Sequence, residues 1–325
     1  MRLSTYLKGM GAAGLAALTS ATVAATTAAA QGLEIIGQPV DGNMGFQPPA
    51  TSIAVEQQWL DHMILVIITG VVVLVCGLLL YVILRFNSRA NPVPRRFTHN
   101  SPLEVAWTIV PIVILIFIGF FSLPILFNQQ EFPKGDVVIK VTGNQWYWTY
   151  EYPEEAIGPF DSYLIDGSYK IDDPAAGWGK DQPVSTPQIL DDVTVKKLEY
   201  FGYGRDQFLL ATDTAMVVPV GKIVVLQITG ADVIHSWKIP AFAVMQDAVP
   251  GRLAQSWFRA DKEGIYFGQC SELCGKDHAY MPITVKVVSE AAYAKWVAEA
   301  KTGKVMLTAD MLSPGEDPVK VAAAD

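Results

Sequence analysis

Residues 270–281 read CSELCGKDHAYM. Cys270, Cys274, His278 and Met281 set two thiols, an imidazole and a thioether within twelve residues. A Cys…His…Met run is the soft donor set of a mononuclear electron-transfer copper, with thiolate, imidazole and a weak axial thioether. Here the cysteine is doubled. Each thiolate can bridge, so this loop can hold two coppers where a single-cysteine loop holds one. A pair needs a second imidazole. The chain has four histidines, and His62 and His99 flank long apolar stretches. His235 is the candidate in the same domain.

Two other chemistries use paired cysteines. A disulfide is common between two cysteines of an exported domain, but it gives His278 and Met281 no role. Structural zinc favours C-x2-C or H-x3-H pairs and has no use for methionine. A copper pair uses every donor in the loop.

The loop resembles the CuA loop of subunit II of haem–copper cytochrome c oxidase. The likeness runs from about residue 31 to about residue 300. It includes THNSPLEVAWTIVPI (98–112), GNQWYWTYEYP (143–153), ADVIHSW (231–237) and VPGR (249–252). The resemblance implies that both cysteines bridge the coppers and that each copper takes one histidine. Met281 would complete one copper and the backbone carbonyl of Glu272 the other. The implied ligands are therefore His235, Cys270, Glu272, Cys274, His278 and Met281. The same resemblance gives the Glu272 side chain to a Mg²⁺ ion shared with subunit I, and a hard carboxylate suits that ion.

Other roles follow from the likeness, each beside a plainer reading. Trp146 matches the tryptophan that receives electrons from cytochrome c. By spacing alone, Trp146-Tyr147-Trp148 reads as a strand with alternating aromatic faces. Glu104 matches the carboxylate at the cytoplasmic mouth of a proton pathway into subunit I. By itself, Ser101-Pro102-Leu103-Glu104 reads as a capping box with proline at the first helical position. Glu151, Asp161, Asp213 and Asp232 match the acids that attract basic cytochrome c, where charge raises on-rate more than affinity. Taken singly, each reads as a solvated carboxylate.

Apolar residues make up 51% of the 325-residue chain. Three stretches account for this. In the first, Arg2 and Lys8 precede a small-residue run ending in Ala28-Ala29-Ala30 before Gln31. This reads as a secretory signal peptide, residues 1–30, with an A-x-A cleavage site. The other two, residues 63–84 and 105–126, carry no charge, and crossing a bilayer takes ~20 residues. Between them lie Arg85, Arg89, Arg95 and Arg96, with no acid before Glu104. The positive-inside rule sets this loop, 85–103, in the cytoplasm. Both ends of the mature chain then face the periplasm of a bacterial inner membrane. Cys76, inside the first span, reads as a small apolar residue.

Net charge is −8, and it is unevenly spread. From residue 129 onward there are 27 Asp and Glu against 18 Lys and Arg. An acidic exported domain argues against nucleic-acid binding, which wants a basic face.

Residues 31–60 are Gly- and Pro-rich and read as an irregular periplasmic arm. Residues 61–128 form the transmembrane hairpin. Beyond it, strand patterns occupy 136–142, 144–151, 207–211, 215–219, 222–229, 233–238, 253–258, 264–268 and 283–288. Short β-branched and aromatic runs broken by Gly, Pro and Asp point to an antiparallel Greek-key sandwich. The resemblance makes it cupredoxin-like, with a CuA domain over 129–303 and a tail over 304–325. The fold class expected is membrane-anchored all-β: a two-helix transmembrane hairpin followed by a cupredoxin-like Greek-key β-sandwich. Residues 154–206, rich in Asp, Gly and Pro, read as an elaborated surface loop. Ser289 reads as the cap of a final helix reaching about Ala300.

The function so implied is electron transfer from cytochrome c to haem in subunit I, beside subunit III, in an oxidase that couples oxygen reduction to proton pumping. A nitrous oxide reductase-type domain shares the loop but lacks the two-span anchor. Quinol oxidase subunit II lacks the cysteines. A membrane-anchored copper-binding or copper-delivery protein is the alternative from a different class.

Overall fold

The computed structural model describes residues 29–30, 32–93 and 96–312. Residues 1–28 of the expected signal peptide, Arg95 and most of the expected tail fall outside the described residues.

Two long helices carry the apolar spans. Helix α1 runs Ser52–Arg85 and α2 runs Ser101–Gln130. At 1.5 Å per residue both exceed the ~30 Å hydrocarbon core. No residue of α2 is buried, and in α1 only Ile53 and Ala54 are. This is what lipid-facing or partner-facing helices show when seen alone. They touch each other where Trp59 meets Phe121 edge-on, with ring centroids 5.6 Å apart.

The cap of α2 differs from the sequence expectation. Asn100, not Ser101, is the N-cap: its side chain accepts from Leu103 N at 3.3 Å. Glu104 closes the motif by accepting from Asn100 N at 3.1 Å. Asparagine is at least as good a cap as serine, and the shift seats Pro102 one position deeper, where its missing N–H still costs nothing.

The expected irregular arm is also more ordered. Leu33–Gly37 (β2), within that arm, pairs antiparallel with Ala29–Ala30 (β1), the last two residues of the expected signal peptide, and β2 alternates buried and exposed residues. Thr51 caps α1 by accepting from Ala54 N, and its hydroxyl donates to the buried Phe242 carbonyl at 2.9 Å. Ala50 adds two backbone bonds, to Ala241 O and from Asp261 N, each 2.9 Å. The anchor is thus stitched to the exported domain at the top of the first helix.

That domain is a sandwich. Its strands are β3 (Val137–Asn144), β4 (Tyr147–Tyr152), β5 (Ile157–Ser162), β6 (Met216–Pro219), β7 (Ile223–Gly230), β8 (His235–Ile239), β9 (Val244–Ala248), β10 (Ala254–Arg259), β11 (Gly264–Gln269) and β12 (Pro282–Val288). One sheet is ordered β1-β2-β11-β12-β6 and the other β10-β7-β3-β4-β5, with β8-β9 as a separate pair. The sheets are mixed rather than purely antiparallel. The pairs β3–β7, β2–β11 and β6–β12 are parallel. Each joins strands far apart in sequence, and a long connection is what a parallel pair requires.

The core lies between the sheets. Ile139, Val141, Trp148, Tyr150, Leu226, Ile228, Phe258, Ile283 and Val285 are fully buried there. Every residue of β12 is buried, because residues 203–212 cover its outer face. Thr212 N donates to Thr284 Oγ1 at 3.2 Å, and Lys286 Nζ lies 5.3 Å from the Tyr203 ring centre.

Two further expectations are corrected. Residues 207–211 are not a strand. A single 3-10 turn at Arg205–Gln207 leads into hydrogen-bonded turns, and Leu209 takes φ 63°. The 154–206 loop contains strand β5 and helix α3, Asp192–Tyr200, capped by Asp191. Lys197 of α3 is buried and donates to Gly167 O at 2.6 Å. The last two helices are α4 (Glu290–Ala300), capped by Ser289 as its sequence indicates, and α5 (Ala309–Leu312).

Candidate metal centre

The CSELCGKDHAYM segment joins β11 to β12. The two strands pair antiparallel with Gln269 opposite Pro282, so Cys270 and Met281 stand at the two feet of a closed loop. His235 opens β8, and the loop is tied to it by Ser271 N donating to Ser236 O at 2.9 Å. Gly143 of β3 makes room for the imidazole: a Cβ there would lie 2.9 Å from His235 ring atoms. Trp148 Nε1 fixes the far foot by donating to Met281 O at 3.2 Å.

The donors converge. The Cys270 and Cys274 sulfurs are 3.9 Å apart and both are free thiols. His235 Nδ1 is 3.9 Å from Cys270 Sγ, and the Glu272 carbonyl is 3.3 Å from the same sulfur. Cys274 Sγ faces His278 Nδ1 at 3.5 Å and Met281 Sδ at 3.4 Å. His235, Cys270, Cys274 and Met281 are all buried, and His278 is half-buried. Side-chain atoms of His235, Cys270 and Cys274 lie within 4.8 Å of one another. A disulfide needs sulfurs ~2.05 Å apart, and zinc leaves the buried thioether idle. Sulfur-rich donors with two imidazoles fit copper.

The electrostatics favour one thiolate before the other. Burial raises the Cys270 thiol, but His235, the Ser236 N–H and the Glu272 backbone outweigh it and bring it down to about 7. Burial and the neighbouring Cys270 charge push Cys274 up to about 12. Burial lowers the His235 imidazole, yet Cys270 and Asp232 more than offset this and hold it above its ordinary value.

Trp146 stands just outside β4, whose Trp148 points into the core. The resemblance implies an exposed indole; this one is half-buried. Its Nε1 donates to Cys274 O at 3.2 Å, and Lys276 Nζ lies 5.4 Å above its ring.

Each of the four acids is engaged. Glu151 pairs with Lys140 at 3.4 Å. Asp161 accepts from Thr149 Oγ1 at 2.7 Å and Tyr163 OH at 3.0 Å. Asp213 is half-buried and accepts from Tyr163 N, Tyr169 OH and Thr214 N, each at 2.7 Å. Burial raises its carboxyl, and those bonds only partly compensate. Asp232 alone of the four touches the metal-loop assembly, at His235 Nε2, 2.8 Å away. The Glu272 side chain is exposed. Glu104 lies in the first turn of α2, at the opposite end of that helix from the exported domain.

Sequence reasoning missed Gln145, whose amide Nε2 donates to Cys274 O at 2.8 Å. Its one signal was adjacency to Trp146.

Residues 137–176 and 188–288 match the family described as cytochrome C oxidase subunit II, periplasmic domain, and residues 39–125 match its transmembrane domain. Cytochrome c oxidase subunit 2 of Cereibacter sphaeroides is 60% identical over 308 residues, covering 95% of this chain and 96% of that protein. A probable cytochrome c oxidase subunit 2 of Rickettsia bellii (strain RML369-C) is 39% identical over 262 residues, covering 80% of this chain and 85% of its own. Among solved structures, the periplasmic domain of subunit II of cytochrome oxidase (CoxB) of Bradyrhizobium japonicum shares 43% identity. That match has a TM-score of 0.39 and covers 53% of this chain and 97% of that one. With both domains matched in order and a relative 60% identical over nearly its whole length, this chain belongs to the cytochrome c oxidase subunit II family.

Proposed function

We propose that His235, Cys270, the Glu272 carbonyl, Cys274, His278 and Met281 hold a dinuclear CuA centre, through which this subunit takes electrons from cytochrome c. The family makes the chain an electron-transfer subunit of a haem–copper oxidoreductase, with two membrane helices and a periplasmic domain. The observation that supports the copper reading is the mutual approach of two free thiols, two imidazoles and a buried thioether. When bound, the metal pair supplies a one-electron couple. The chain supplies a rigid loop between two paired strands and a dry pocket, so little has to rearrange when charge changes. Trp146, bonded to Cys274 O, is the point where electrons arrive, and Glu104 is the proton-pathway carboxylate at the cytoplasmic end. Glu151, Asp161, Asp213 and Asp232 favour a cationic donor, and Glu272 reaches a Mg²⁺ shared with subunit I. The domain limits, a cleaved 1–30 signal and the bacterial inner membrane with both chain ends outside belong to the same reading. A copper carrier would hold its metal at an exposed site, whereas His235 and Met281 are buried.

Metal analysis of the purified complex tests this directly. About two coppers per subunit II, beyond those of the other subunits, are expected from the doubled bridging thiolate. One of these coppers should disappear with Cys270→Ser or Cys274→Ser, and the paired spectrum with it. A single copper or zinc alone in the wild-type site overturns the reading.

A further inference from the structure

We propose that Gln145 is a positioning residue that fixes the spacing between the His235 arm and the Cys274 arm of the metal centre. This rests on the copper reading above. Its backbone N donates to Asp232 Oδ2 at 2.8 Å, and Asp232 Oδ1 stands 2.8 Å from His235 Nε2. Its side-chain Nε2 donates to Cys274 O at 2.8 Å. One residue therefore spans both arms, though it is 87 residues from Asp232 and 129 from Cys274 in sequence.

The Cys274 carbonyl also accepts from Trp146 Nε1 at 3.2 Å. Two donors on one carbonyl fix the Cys274 peptide plane, and with it the direction of a sulfur that faces His278 and Met281. The next residue, Gly275, takes φ 127°, and a Cβ there would lie 3.0 Å from Trp146 Cζ2 and 3.2 Å from Gln145 Nε2. Glycine both adopts this backbone and lets the clamp close. Gln145 itself is exposed. Its contribution is the direction of two hydrogen bonds.

The test uses the purified oxidase complex with Gln145→Leu and Gln145→Asn. Leucine removes the amide. Asparagine keeps it but is one methylene too short to reach Cys274 O. Both leave the backbone bond to Asp232. Partners that orient metal ligands typically contribute about 10–100-fold in affinity. Both variants are therefore expected to release copper to a copper(I) chelator about 10-fold faster, with a shifted visible and near-infrared spectrum. Haem content and thermal midpoint should stay at wild-type values, as for most surface substitutions. Wild-type release and spectrum in both variants would overturn the proposal. If only the leucine variant fails to assemble, the asparagine variant decides. Failure of both to assemble would make Gln145 a folding residue and overturn the positioning role. Absence of copper from the wild-type complex would instead strike the copper reading.

Discussion

Asp232 holds one carboxylate oxygen 2.8 Å from Nε2 of His235, while Nδ1 of the same ring faces Cys270. A carboxylate can only accept, so Nε2 carries a proton and Nδ1 is the nitrogen turned toward the two thiols. On the copper reading, the acid expected to steer a partner from the surface has a second task, orienting the His235 imidazole. Asp232→Ala should lower copper affinity roughly 10–100-fold, read by chelator competition. A residue that only attracts a cationic donor would leave that affinity untouched and raise KM at low salt. Asp213→Ala separates the two effects further. It strands the Tyr163 N–H, Tyr169 hydroxyl and Thr214 N–H and should cost about 1–3 kcal/mol of stability, with copper content unchanged.

Trp146→Phe removes the indole N–H that bonds Cys274 O but keeps an aromatic ring. Copper content should survive, because Gln145 still holds the same carbonyl. Cytochrome c should still associate, since no charge is altered. The transfer rate within the docked complex should fall, as measured by flash-induced reduction. A wild-type transfer rate with intact copper would make this residue a sheet-edge aromatic and nothing more.

Glu104→Gln preserves an oxygen that can accept from Asn100 N, the bond seen at 3.1 Å. The helix start should hold and the complex should assemble. Turnover is expected to slow at a step after electrons have arrived, because the amide cannot exchange a proton. Normal turnover would leave capping as its whole role.

Lys286 gives a pH signature of stability. Burial lowers its ammonium from the ordinary 10.5 to about 7. Between those values the unfolded chain carries a proton that the folded chain lacks, so stability rises with pH across the window. The cost is fully present below 7. The slope is at most about 1.4 kcal/mol per pH unit. Lys286→Met should flatten the dependence of the thermal midpoint between pH 7 and 9, and an unchanged slope would count against this assignment.

Much of this was readable in the chain itself. Both spans declare themselves by uncharged length, β3, β7 and β12 by β-branched runs, and β11 by an aromatic one. The metal loop does so by donor chemistry. Several elements escaped, four of them for identifiable reasons. Strands β2 (LEIIG), β5 (IGPFDS) and β9 (VMQDA) are short or interrupted by Gly, Pro or Asp; β2 is completed by the remote β11, while β5 and β9 pair with the strands just before them. Helix α3 turns a lysine and a threonine inward, which no apolar periodicity reveals. The run at 207–211 failed the other way, since an apolar string of four or five fits a turn packed on β12 as well as a strand. At the metal centre, the donors were legible as residue types at fixed spacing. The engagement of Asp213 and the bridge made by Gln145 were not, because each depends on contacts closed only by the fold.

Strand β2 precedes both helices, yet it lies alongside β11, the strand that runs directly into Cys270. The sheet can therefore close only when the stretch before the first helix and the stretch after the second occupy the same side of the bilayer. A chain threaded with its leading stretch on the wrong side would leave β11 with a bare row of N–H and C=O groups, directly beneath the loop that receives metal. Completion of the sheet that carries this loop thus depends on both ends of the membrane hairpin emerging on one side.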